Sequence, residues 1–111
     1  MPQFTLLRVR SATPIKPQQE RYLDFRKHPH IDLAVDVAGA SLFNRKEDAV
    51  NHAKVYYDKL VKNPSMINGF LDKEPEVTVV VDLVIYEGEY VTSMVATTEV
   101  LHKIRFVAKN I

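Results

Sequence analysis

Three side chains able to bind a metal stand at alternate positions in His28-Pro29-His30-Ile31-Asp32. In an extended segment, residues i, i+2 and i+4 share one face. Two imidazoles and a carboxylate suit zinc or iron. The plainer reading is a pair of solvent-exposed loop histidines ahead of a strand, since short motifs match by chance. His52 and His102 are isolated, and no serine or cysteine is positioned with either as a nucleophile. Asp32 with Asp36, and Glu87 with Glu89, are the carboxylate pairs that acid–base chemistry would use. Gly39, Gly69 and Gly88 are scattered, so no phosphate loop or dinucleotide fingerprint is present. No cofactor follows from these residues.

A second kind of chemistry is suggested by Arg8, Arg10, Arg21, Tyr22, Arg26, Lys27, His28 and His30. Cations neutralise phosphates, and aromatic rings stack on bases. Arg8 and Arg10 would share one strand face. The competing reading makes Tyr22 and Phe25 core anchors of a short helix with a solvated basic side. The net charge of +1 over 111 residues is far from the strongly basic profile of a nucleic-acid binder. Charge is nonetheless polarised. Residues 1–30 carry six Lys/Arg against two acids, and residues 72–99 carry one Lys against seven acids. Residues 100–111 add three more cations. Such segments either present a charged face to a partner or pair with each other in the fold.

The elements that would position these groups follow from periodicity. Residues 3–10 read as a strand, with Pro14 and Pro17 in the connector after it. Residues 18–27 fit a short helix through Tyr22, Phe25 and Arg26, ended by Pro29. Ile31, Leu33, Val35 and Val37 alternate with Asp32, Ala34 and Asp36, which predicts a half-buried strand over 31–37. Ala49, Ala53, Tyr56 and Leu60 recur at helical spacing within 45–62. Asn44 stands at the N-cap position with Glu47 to complete a capping box. Lys59 and Lys62 suit the helix end, Asn63 suits a left-handed C′ residue, and Pro64 forbids continuation.

Residues 65–75 read as a connector with room for one helical turn. Residues 76–86 predict a strand with Val77, Val79, Val81, Leu83 and Ile85 on one face. Its other face carries Val80, Val84 and Tyr86, so both faces need cover. Glu87-Gly88 suggests a two-residue turn into a second arm at 89–97. In residues 100–108, Val100, Leu101, Ile104, Val107 and Ala108 fit a helical stripe with Ile111, while Val100, Ile104 and Phe106 fit one face of a strand; β-branched and aromatic content favours the strand.

The order predicts an α+β domain of about four to five strands, mainly antiparallel, with one long helix across one face. A chain of 111 residues is expected to form a single domain, 1–111. The run from Ala40 to Tyr57 occurs in many small sheet-plus-helix domains and identifies none. With no cysteine, a disulfide scaffold, a thiol nucleophile and a thiolate metal site are excluded. The longest apolar run, 79–86, is broken by Asp82 and falls short of the roughly 20 residues that cross a bilayer. A soluble, cytoplasmic protein with no membrane partner is therefore expected. The functional expectation is a small non-enzymatic protein-interaction module, accessory or regulatory, with a homodimer formed through Val80, Val84 and Tyr86. The alternatives are a nucleic-acid-binding module using the basic N-terminal segment, and a small enzyme or metal-binding protein using His28, His30 and Asp32.

Overall fold

The computed structural model of the chain describes residues 2–13, 19–63, 76–87 and 95–107. They form an α+β arrangement with one antiparallel sheet of five strands, β1 (Gln3–Thr13), β2 (Gln19–Asp24), β3 (Asp32–Ala34), β4 (Glu76–Glu87) and β5 (Val95–Val107). Spatial order is β3-β2-β1-β4-β5. Helix α1 (Lys46–Lys62) lies across one face. β1 is central because it pairs along its whole length with β4, from Gln3 opposite Tyr86 to Thr13 opposite Glu76. On its other side β2 takes over from Leu7 to Arg10. Where β2 leaves, the segment around Phe43 continues the pairing. Phe4 and Phe43 exchange two backbone hydrogen bonds of 2.9 and 2.8 Å, and Thr5 Oγ1 donates to the Ser41 carbonyl at 2.7 Å.

The helix forms as its period predicts. Ala49, Ala53, Tyr56 and Leu60 are its buried residues. The two alanines leave room for the helix backbone near the sheet, and Tyr56 and Leu60 add the larger buried side chains. They meet Phe4, Leu6, Leu23, Val77, Val79, Val81 and Leu83 in one core cluster. Every second residue of β4 thus enters the core, as the alternation over 76–86 requires. β5 closes that side with Ile104 and Phe106, and His102 stacks on Tyr57 at 4.5 Å between ring centroids.

Several expectations are corrected. Residues 18–27 are not a helix: β2 occupies Gln19–Asp24. Ten residues make a marginal helix alone, whereas as a strand the segment buries Leu23 against α1 and satisfies one edge of β1. The strand over 31–37 shrinks to Asp32–Ala34, since β2 offers only Tyr22, Leu23 and Asp24 as partners. Val35 is 75% exposed, and Leu33 and Val37 are also exposed, because this edge lies beyond the reach of the helix. A 3₁₀ turn, Val37–Gly39, follows. There a Cβ on Gly39 would fall 2.7 Å from the Cβ of Ala34, too close for any other residue without a shift.

At the helix start the cap position falls on Arg45, with no side-chain capping bond, so Asn44 and Glu47 form no box. Asn63 has φ −127°, outside the left-handed region. Tyr86 lies opposite Ala96, not opposite Glu89 as a turn at Glu87-Gly88 would require. The connections 64–75 and 88–94, and with them the rest of those readings, lie outside the described residues. A register shift opposite Val81/Asp82 pairs Val81 with His102 but Asp82 with Val100. This bulge sends Val100 to the face opposite Ile104 and Phe106, so the three do not share one.

Candidate functional site

Among the described residues, no element covers the second face of the sheet. Across it run Leu7 and Val9 of β1, Glu20 and Tyr22 of β2, Val80, Asp82, Val84 and Tyr86 of β4, and Val100, Lys103, Arg105 and Val107 of β5, as the pairing registers require. The outer strand leaves Val100 63% exposed and Val107 56% exposed. Toward the centre the face is more closed. The hydroxyls of Tyr22 and Tyr86 hydrogen-bond to each other, and burial together with that bond pushes the Tyr86 phenol up to about 12. Thr5, Leu7 and Val84 are buried in that region. Val84, at 4% exposed, is therefore a support beneath this face, while Val80 and Tyr86 are half-buried parts of it.

Asp82 is the chemical anomaly of the face. Its Oδ1 is buried and has no hydrogen-bond partner among the described residues. Burial, and then the negative charge of Glu20, raise its carboxyl above the ordinary carboxylate value. A carboxylate there is costly without a donor. Arg105, on the same face, is held by Glu76. Neither Glu20 nor Lys103 has an ion-pair partner among the described residues.

The basic N-terminal residues do not converge. Arg8 and Arg10 do share a face, but it is the helix side, where both are buried. Arg8 Nη2 donates to Gln19 Oε1 at 2.6 Å, and its guanidinium also donates to the Tyr56 hydroxyl. Burial, opposed by Tyr56, lowers the Arg8 pKa from its usual value. Arg21 is on the same side, while Tyr22 points to the opposite face. Arg26 grips Asp24 with two side-chain bonds of 2.9 Å and holds its carboxyl down to about 2. It also donates to the Gly39 carbonyl at 3.1 Å, which ties the end of β2 to the 3₁₀ turn. Lys27 is 3.4 Å from Asp32.

His28 and His30 are exposed in the turn after β2. With Phe25, Ile31, His52 and Lys59 they line a cleft of about 330 Å³ between that turn and α1. Lys59 closes one side by donating to the Pro29 carbonyl. His52 Nδ1 is 2.7 Å from the Asp48 carbonyl, and its ring sits against Phe25 and Phe43, so helix geometry and aromatic packing fix it. No three His, Cys, Asp or Glu side chains among the described residues form a set that could hold a metal ion. Asp32 is engaged by Lys27, and Asp36 lies past the end of β3.

Comparison with protein-family models, with curated proteins and with solved structures finds no match. A functional reading therefore rests on the geometry. Sequence reasoning found Val80 and Tyr86 through the second apolar face of β4. It missed Glu20, Asp82, Val100 and Lys103. The alternation of β4 was the available signal for Asp82, an acid among valines. For Glu20, a segment read as helix hid the strand face. For Val100, the bulge reversed the facing.

Proposed function

We propose that this chain is a non-enzymatic protein-interaction module whose working surface is the sheet face opposite α1. The observation that carries the reading is the contrast in cover. The helix side is filled, while the opposite side leaves Val100 and Val107 exposed beside half-buried Val80 and Tyr86. Contiguous apolar surface rimmed by charge, here Glu20, Lys103 and Arg105, is the usual mark of a protein contact. An accessory or regulatory role fits such a surface in a chain with no catalytic constellation among its described residues. A cysteine-free composition suits a reducing cytoplasm. Among the described residues no helix is long and apolar enough to cross a membrane.

The reading is tested by site-specific photo-crosslinkers placed at positions 100 and 107 on this face, and at 55 and 61 on the exposed side of α1. Val55 and Val61 are exposed to a similar degree, so they control for exposure. Products from 100 and 107 that are absent from 55 and 61 support the reading. Products only from the helix positions, or from none, refute it. The same preparation is expected to give no salt-sensitive anisotropy change with labelled DNA or RNA. Binding that weakens steeply with salt and is lost in Arg21→Glu would favour a nucleic-acid module instead.

A further inference from the structure

One row of residues crosses this face, which no described element covers, from β2 to β5: Glu20 is opposite Val9, Val9 opposite Val80, and Val80 opposite Lys103. It reads acid, valine, valine, base. We propose that the partner of this face is a second copy of the chain, related by a two-fold axis that runs between β1 and β4, parallel to them. This inference rests on the interaction reading above and names its partner.

Turning the row over about that axis lays Lys103 of each copy over Glu20 of the other, and Val9 of each over Val80 of the other. A two-fold across the strands would instead stack β5 on β5 and bring the Lys103 and Arg105 cations of one copy against those of the other. Charge complementarity therefore selects the orientation, and an isologous contact satisfies both pairs at once. Glu20 and Lys103 cannot pair within one chain: they stand three strands apart, about 14 Å. Both lack an ion-pair partner among the described residues.

The next row, Tyr22, Leu7, Asp82 and Val100, falls into place by the same operation. Exposed Val100 lands on the Tyr22 ring of the partner subunit, and Asp82 lands over Leu7 of the partner subunit. The Asp82 carboxyl, whose charged form burial already disfavours, thus meets apolar surroundings. Three strands of 11, 12 and 13 residues and two short ones cover this face. In plan the face measures about 650 Å², and since Thr5, Leu7 and Val84 are already buried within the chain, the second copy meets chiefly the rows around Glu20, Val9, Val80, Val100 and Lys103. Two twisted sheets meet in this way with their strands about 30° apart.

The test is sedimentation equilibrium of the full chain from about 1 μM to about 500 μM, a span in which modest interfaces associate. The expected result is a shift from one chain mass to two. Lys103→Glu and Glu20→Lys are each expected to weaken the dimer about tenfold or more, since each places like charges together twice. Glu20→Lys combined with Lys103→Glu is expected to restore it, because the swapped charges meet again. Both sites are exposed, so neither variant threatens folding. A dimer indifferent to the single changes is joined some other way, such as edge to edge along β5, and overturns the proposal. A monomer throughout also overturns it. In that case, crosslinks from positions 100 and 107 to a different chain would leave the interaction reading standing, and their absence would remove it.

Discussion

On the helix side of the sheet, the buried guanidinium of Arg8 bonds Gln19 and Tyr56 and leaves only its Nε without a partner among the described residues; on the other side, Asp82 has a buried oxygen that meets none among them. Both charges sit on neighbouring central strands, Arg8 one residue from the position opposite Asp82. The same backbone supports them, so the difference lies in what each face is packed against. α1 brings a hydroxyl over Arg8. Nothing among the described residues brings a donor over Asp82, and Glu20 adds a like charge. A buried charge held by two partners is compatible with a finished core even with one nitrogen left over, while one with no partner marks unfinished surface.

The comparison breaks most sharply under truncation. Leu6→Ala, at a fully buried helix-side position, is expected to cost about 2–5 kcal/mol through lost transfer energy and the cavity left. Val100→Ala, at an exposed position of the opposite face, is expected to change the stability of the dilute chain by no more than about 0.5 kcal/mol. Urea unfolding at low protein concentration measures both. Equal costs would mean that the second face is core as well.

The two charges themselves give the next effects. Tyr56→Phe removes an acceptor from buried Arg8 and is expected to cost about 1–2 kcal/mol. Asp82→Asn has the opposite sign. It removes a charge that burial disfavours and is expected to raise stability near neutral pH, by less than about 1 kcal/mol because the group keeps partial solvent access. A loss of stability in Asp82→Asn would show that the carboxylate has a partner after all.

The pH dependence separates Asp24 from Asp82. Asp24 is depressed to about 2 by Arg26, below the ordinary value of 3.8. Its contribution is therefore complete above the unfolded value and is lost as pH falls from about 4 toward 2. Asp82 is raised, so its unfavourable contribution at neutral pH is relieved as pH falls toward the ordinary carboxylate range. Acid titration of stability in Asp24→Asn should lose the first step, and in Asp82→Asn the second. The smallest effects belong to the surface pairs. Breaking Lys27–Asp32 or Lys46–Glu99, whose side chains are largely in solvent, should move stability by well under about 1 kcal/mol.

How much of this could be read in the sequence depended on how local each cause was. α1 was legible because period, charge bias and a following proline act within 20 or so residues of chain. β4 was legible because valines fill both of its faces. β2 was not, because Tyr22 and Phe25 satisfy a helical spacing as well as a strand. Only the demand of β1 for a partner decides between them. The alternation over 31–37 was real but did not report burial, since the sheet edge outruns the helix. The candidate face was half legible. Val80 and Tyr86 came from β4 alone, but the row from Glu20 to Lys103 exists only once four strands are in register. The lone state of Asp82 likewise depends on what stands over the strand.

The most direct test of the account is the solvent exposure of valine methyls on both faces of the sheet, read by NMR with a soluble paramagnetic agent at about 10 μM and about 1 mM chain. The account predicts that Val77, Val79 and Val81 are protected at both concentrations. Val100 and Val107 should be broadened when dilute and protected when concentrated. Methyls of Val100 and Val107 equally broadened at both concentrations would contradict the account: the second face would then be ordinary surface and not one completed by a second copy of the chain.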